Sequence, residues 1–342
     1  MTSTPVLTIG IPTYNFGHII GETLSSITAQ LPDDVEILIV DGGSRDSTEA
    51  VVRSWADRCP AIVYHRKETR DGIDVDMALV VELARADYCW LLSADDLVEP
   101  GAVQTVLGYI ARRPDVVLLS HSNCDAVMKT IQPRHPVLAG ATRTIAVRDP
   151  SSQAAYFKDA LTSEALFSFI SGLVVRRSTW NVDRDTADLR YGSCWAHAAR
   201  LLLQMRHHGL QIAFVCDPLV RRRGENDSFA DRGIVPRYAL AIDGYTSLVG
   251  DIFGYDGIEY RETLRILRNE FTIVMFMYAK QAAARKPERE SLQDLERLFD
   301  KIYPRSAEFA LVRLAFRLPA TTFISAFEAA NAVRHRVLGR TA

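Results

Sequence analysis

The chain has 342 residues, 48% of them apolar and 24% charged, with a formal net charge of −2. That length allows one large α/β domain plus an appendage of about 100 residues, and the near-neutral balance excludes the strongly basic domain expected of a nucleic-acid-binding protein. Its five cysteines are widely separated and include no Cys-x-x-Cys. This argues against a disulfide framework or a zinc site built on cysteines, and suits a reducing cytosol.

Short β-branched runs alternate with helical patterns through the first half, the signature of βαβ units and a mostly parallel sheet. Strands are expected at Val6–Ile11, Val35–Val40, Ala61–His65, Tyr88–Leu92 and Val116–Ser120. Helices are expected between them, near Gly17–Gln30, Ser47–Asp57, Asp74–Ala84 and Gly101–Arg112, the last with Pro100 at its opening. The strands read as nearly continuous apolar runs, as when both sheet faces are covered. From Asn123 to Ser163 the periodicity fades into an irregular insertion. A strand at Leu166–Val175, a helix at Cys194–His207 and a strand at Gln211–Cys216 follow, and then a charged loop from Arg221 to Ser228.

From about Val235 onward the pattern is helical, so the chain divides into residues 1–228 and a helical region, 229–342. Beyond Pro304 six arginines face only Glu308 and Glu328. Phe309, Val312 and Phe316, then Phe323 and Phe327, fall at helical spacing among them. A basic amphipathic helix of this kind can lie on an anionic membrane surface; packing inside the protein would give the same stripe. No run reaches the roughly 18–20 apolar residues of a membrane span, and Met1–Pro5 carries no basic segment leading into an apolar one. The expected location is therefore cytoplasmic, at most peripheral at the inner face of the plasma membrane.

Ligands of open α/β sheets bind beyond the carboxyl ends of the strands. There this chain places Pro12, Thr13, Tyr14 and Asn15 after the first strand, Asp41-Gly42-Gly43-Ser44 after the second, and Ser93-Ala94-Asp95-Asp96 after the fourth. Adjacent carboxylates such as Asp95 and Asp96 can hold Mg²⁺ or Mn²⁺, which take oxygen ligands and share them with phosphates; they can equally be turn and cap residues. Asp41 can accept from a nucleobase N–H with two glycines allowing close approach, or simply terminate a strand. An acceptor-only carboxylate suits uracil, thymine or guanine, which present a ring N–H, and not cytosine. Neither a G-x-G-x-x-G nor a P-loop is present, which removes the usual dinucleotide and P-loop readings.

Taken together, Ile9–Asn15, Ile39–Thr48, Trp90–Asp96 and the Arg70-Asp71-Gly72-Ile73 segment resemble the inverting family 2 glycosyltransferases of the GT-A fold, in order and in spacing, over about residues 6–228. Tyr88–Ser93, Ser171–Arg177 and Arg223–Ser228 are also similar to abequosyltransferase-type O-antigen enzymes. The resemblance implies that Pro12–Asn15, Asp41 and Asp71 line the nucleotide-sugar site. It further implies that Asp95 contacts ribose and metal, and that Asp96 coordinates Mn²⁺ or Mg²⁺ on the diphosphate. Ser93 stands where the family often has aspartate. Many relatives open the helix at Trp195–Leu201 with Glu-Asp, whose aspartate is the base. Here His197 falls near that place, and a histidine can serve as base at neutral pH; Asp188 is the other candidate. Arg223, in the Arg221–Arg223 cluster, can clamp phosphate or belong to a solvated loop.

The expected activity is single in-line transfer from a UDP- or dTDP-sugar to a glycan or lipid-linked acceptor of surface polysaccharide. The alternatives are a nucleotidyltransferase making the sugar nucleotide and a catalytically silent sugar-binding protein. The first normally needs a Gly-rich basic loop after the first strand, which this chain lacks.

Overall fold

The computed structural model describes residues 4–191, 194–226, 232–286 and 291–338. Two compact units are formed, one through Asn226 and a second beyond it, with Ile252–Gly254 counted in the first.

The first unit begins with β1 (Leu7–Thr13), α1 (Ile20–Thr28), β2 (Val35–Asp41), α2 (Thr48–Ala56), β3 (Ile62–Arg66), α3 (Ile73–Leu83) and β4 (Tyr88–Leu91). Every residue of β1, β2 and β4 is buried, which is why these strands are continuous apolar runs and not alternating ones. They pair in parallel in the order β3-β2-β1-β4. In register, Thr13 lies beside Asp41 and Gly10 beside Leu91, so three carboxyl ends share one edge. β5 (Leu97–Val98), α4 (Ala102–Ile110) and β6 (Val116–Cys124) extend the unit.

Within 123–163, where no element is expected from periodicity, the chain forms β7 (Thr130–Gln132), β8 (Arg143–Val147) and α5 (Pro150–Asp159). Its helix is started locally: Pro150 sits in the first turn, and Asp149 and Ser152 form a reciprocal capping box. The strand expected at Leu166–Val175 is shorter. Two 3₁₀ turns, Ser163–Leu166 and Ile170–Gly172, precede β9 (Leu173–Arg176), which runs antiparallel between β4 and β6. α6 (Arg177–Trp180), α7 (Arg184–Tyr191) and α8 (Ala196–His207) lead to β10 (Leu210–Arg222). This last strand passes well beyond Cys216 because irregular register around Pro218 absorbs the proline. Arg221 and Arg222 are thus strand residues beside Ser122 and Asn123, not loop residues. Asp227 and Ser228 lie outside the described residues.

The second unit is helical: α9 (Ile234–Phe253), α10 (Ile258–Glu270), α11 (Ile273–Arg285), α12 (Leu292–Ile302), α13 (Ala310–Arg317) and α14 (Ala320–Leu338). Aromatic rings knit it together, with Phe299 and Phe316 stacked at 3.9 Å and Phe276 edge-on to both at 5.2 and 6.1 Å. Phe316 therefore faces inward. The outward apolar residues here are instead Leu311, Leu314 and Leu318, 80, 59 and 44% exposed. No single helix among the described residues is long and apolar enough to cross a membrane.

Glycine sets one contact of the sheet. A Cβ at Gly10 would lie 2.1 Å from Val80 Cγ1 of α3, so α3 packs on β1 only because that position is bare. Gly10→Ala should cost about 1–3 kcal/mol, the usual penalty of overpacking, read as a lowered urea midpoint. An alanine variant as stable as the wild type would contradict this packing.

Candidate active site

The loops that follow β1 and β2 are tied to each other. Asn15 takes a left-handed φ of 59°; its N–H donates to Ser44 Oγ (2.8 Å), and its side-chain oxygen accepts from the Arg45 N–H (2.8 Å). Asp46 accepts from the Gly17 and Thr48 N–H groups, both at 3.0 Å. Pro12 and Thr13 are buried, with Thr13 Oγ1 bonding no protein atom among the described residues, and Arg70 stacks over the Tyr14 ring at 4.2 Å.

Asp41 is fully buried and accepts from the Ser44 N–H (2.7 Å) and the Tyr64 hydroxyl (2.5 Å). Burial and then this bond to Asp41 hold the Tyr64 phenol protonated, its pKa displaced far upward. Next to it, a Cβ on Gly42 would meet Asp76 Oδ2 at 2.6 Å. Asp76 accepts from Lys67 Nζ (2.7 Å), and the same ammonium holds the exposed Asp71 at 2.7 Å. Asp71 is thus connected to the Asp41 loop through Lys67, Asp76 and Gly42.

Asp95 and Asp96, both nearly buried, occupy the end of β4. Asp95 accepts from the Ser93 hydroxyl and from Asn226 Nδ2 (2.8 Å). Asp96 accepts from Ser171 Oγ (2.6 Å) and the Arg223 N–H (2.9 Å). Burial, and then the adjacent charge of Asp95, push the Asp96 carboxyl well above the usual carboxylate range. Both side chains offer hard carboxylate oxygens, so a divalent cation of the Mg²⁺ or Mn²⁺ type fits their chemistry.

Arg223 serves the same corner from behind. Its guanidinium donates to Asp95 O (2.9 Å), Ala126 O (2.6 Å) and Glu22 Oε2 (2.7 Å). With all three nitrogens engaged and the residue buried, it braces the acidic pair and presents no free fork to a phosphate.

The two base candidates sit apart from that pair. Asp188 is bound by Arg200, itself buried, through contacts of 2.5, 2.7 and 3.1 Å. A carboxylate clamped this way locks α7 to α8, its oxygens engaged by the Arg200 guanidinium. His197 is buried on α8, its Nε2 3.3 Å from Ser168 O and its Nδ1 bonding no protein atom among the described residues. Burial pushes its pKa down to about 4, the range of the aspartate it would replace. Ser168 lies three residues before Ser171, the partner of Asp96, so one segment touches both residues. The helix does have an acid at its opening, contributed by another element. Asp74 of α3 accepts from the Cys194 (2.6 Å) and Ala196 (3.2 Å) N–H groups, where a helix terminus favours negative charge.

With this edge in view, the comparisons are decisive. The family model for Glycosyl transferase family 2 matches residues 8–168. Abequosyltransferase RfbV of Salmonella typhimurium is 26% identical over 85% of this chain and 88% of its own. A PGL/p-HBAD biosynthesis glycosyltransferase of Mycobacterium tuberculosis is 27% identical over 46% of this chain and 60% of its own. Residues 8–168 form a glycosyltransferase family 2 domain, and the chain is a glycosyltransferase. Its fold is GT-A: the crystal structure of S. aureus TarS 1–349 in complex with UDP-GlcNAc superposes with a TM-score of 0.62 at 13% identity, covering 95% of this chain and 92% of that one.

Several residues at the transferase's strand edge escape a reading of the sequence. Tyr64, Lys67, Asp74 and Glu22 carry no motif signal and join the site through bonds between distant segments. Ser171 and Asp76 stand in segments that match by motif, but their bonds to Asp96 and Lys67 are set by tertiary structure.

His197 carries a pH signature. Its folded pKa lies below the ordinary 6.5, so the unfolded chain takes up a proton first as pH falls. Its contribution is complete above about pH 6.5 and is lost as pH falls toward 4, a difference of about 3 kcal/mol across the window. His197→Gln should therefore lose less stability than the wild type when urea unfolding is compared at pH 7.5 and 4.5. Equal losses would contradict a buried neutral imidazole.

Proposed function

We propose that this transferase moves a sugar with inversion from a UDP- or dTDP-sugar to a glycan or lipid-linked acceptor in surface-polysaccharide assembly of the O-antigen type. The observation that carries the reading is the buried Asp95–Asp96 pair beyond the end of β4, on the same sheet edge as the Asp41 loop. The proton affinity of Asp96, raised by burial and by the neighbouring Asp95, is relieved by a divalent cation, and a nucleoside diphosphate supplies such an ion's remaining oxygen ligands. When bound, Mn²⁺ or Mg²⁺ offsets charge on the departing diphosphate. Asp96 and Asp95 would hold the ion, with Ser171, Ser93 and Asn226 orienting their oxygens.

Asp41 supports the choice of base. It accepts hydrogen bonds and cannot donate when ionised, which suits uracil or thymine; direct contact requires the Tyr64 hydroxyl to turn aside. The RfbV relative is an abequosyltransferase by name, which supports a surface-glycan setting. Of the two base candidates, His197 is the better placed, through Ser168. Asp188 is held by Arg200.

Titration calorimetry with UDP tests the central pair. Mn²⁺ should raise UDP affinity roughly tenfold or more, worth about 1.4 kcal/mol or more, in the wild type. Asp96→Asn should abolish that gain and leave metal-free binding unchanged. An unaltered Mn²⁺ effect in the variant overturns the assignment, and stronger competition by CDP than by UDP reverses the donor choice.

A peripheral location at the inner face of the plasma membrane is part of the same reading. Exposed Leu311, Leu314 and Leu318 lie among Arg305 and Arg317, also exposed; this stripe suits an anionic lipid surface. Leu311→Asp/Leu314→Asp should reduce flotation with phosphatidylglycerol vesicles several-fold. Equal recovery of variant and wild type would contradict lipid contact here.

A further inference from the structure

A second cluster of chemistry-bearing side chains lies outside the acidic pair. His121 comes from β6, His135 from the segment between β7 and β8, and Glu164 from the first 3₁₀ turn. Each offers one ligand atom, and these atoms all lie within 4.8 Å of one another. His135 Nε2 and Glu164 Oε2 are already 3.0 Å apart. On a tetrahedral zinc ion with bonds of about 2.0–2.1 Å, ligand atoms stand about 3.3 Å from each other. The His121 and His135 rings are stacked at 4.6 Å with 22° between their planes, so closing the set requires one imidazole to swing until both ring planes meet the ion.

His121 is the telling member. It is fully buried, and neither ring nitrogen meets a protein partner at good hydrogen-bond geometry among the described residues, although the Asn123 side chain lies close enough to interact with it. A buried polar group without a partner costs about 1–3 kcal/mol, and native structures rarely tolerate it without a ligand, water or ion. Burial keeps this imidazole neutral, its pKa pushed down to about 3, which is the ligating form.

The surroundings match those of a metal site. Arg222 Nη1 lies 3.3 Å from Glu164 Oε1, which leaves Oε2 for the histidines. Asn123 lies 3.3 Å from His135 Nδ1 and bonds Gln132; with both amides turned over, its oxygen accepts an Nδ1–H and frees Nε2 to ligate. A cavity of about 300 Å³, lined by His135, Ser120 and Gln132 among others, reaches one member of the set.

We propose that His121, His135 and Glu164 form a zinc site, distinct from the oxygen-only pair Asp95–Asp96. Two imidazoles and one carboxylate are a borderline-soft donor set that selects zinc over magnesium or manganese. Such a site joins three segments, one of which continues through Phe169, packed 4.4 Å from the His121 ring, to Ser171 on Asp96. The fourth position is left for water. Zinc would brace the wall of the active site without taking part in nucleotide binding.

The test uses full-length protein, stripped with chelator, loaded with Zn²⁺ alone and passed through gel filtration before metal analysis and thermal melting. The wild type should retain one equivalent and melt several degrees higher than its stripped form. His121→Phe, which preserves a ring against Phe169, and His135→Gln should each lose both the metal and the shift, while Asp96→Asn keeps them. The trio of half-buried Asp183 with exposed His207 and His208 is a rival zinc binder, so His207→Ala/His208→Ala is included and should also retain the equivalent. A wild type that emerges without zinc, zinc retained by His121→Phe, or zinc lost from the His207/His208 variant would each overturn the proposal.

Discussion

Everything at the carboxyl edge of this sheet depends on keeping two like charges adjacent and nearly out of water. Asp95 and Asp96 stand in the turn after β4, and Coulomb repulsion between neighbouring carboxylates grows as solvent is removed. The protein offsets that repulsion with directed donors: Ser93 and Asn226 on Asp95, and Ser171 and the Arg223 N–H on Asp96. These donors come from as far as 131 residues along the chain from the carboxylate they serve. The corner is therefore a product of tertiary structure and not of the acidic turn alone. Arg223 links it further to Glu22 on α1 and to Ala126.

This constraint explains why the surrounding loops are so heavily bonded. The turn after β1 is pinned to the turn after β2 through Asn15, Ser44 and Asp46. Asp41 is held by Tyr64, and Asp76 by Lys67. A preorganised polar edge does not have to be assembled when a charged ligand arrives, which is how such sites gain affinity and orient reacting groups. The helical second unit uses different means, a cluster of stacked and edge-on aromatic rings, and leaves leucines outward on α13.

Much of the architecture is legible in the sequence because β1, β2 and β4 are buried on both faces, and such strands announce themselves as apolar runs. Their polar ends follow directly, so Asp41, Asp95 and Asp96 can be placed at one edge without coordinates. The region from 123 to 163 is opaque for the opposite reason. β7 and β8 are short and partly exposed, and α5 depends on a local capping box more than on an apolar stripe. Arg223 shows a different limit. Composition marks it as a phosphate clamp, but its guanidinium bonds positions 97, 128 and 201 residues away, and no local pattern encodes that. Asp74 at the opening of α8, 120 residues from Cys194, is hidden in the same way, as is the pairing of Asp188 with Arg200.

The central claim is that the Asp95–Asp96 corner is where cation and diphosphate meet. The most direct measurement is the anomalous difference map of a crystal grown with UDP and Mn²⁺. The account predicts a manganese peak within coordination distance of Asp96, with the diphosphate completing its shell and the base toward Asp41. A diphosphate bound at this edge with no manganese at Asp96, or manganese bound only elsewhere on the chain, would contradict it.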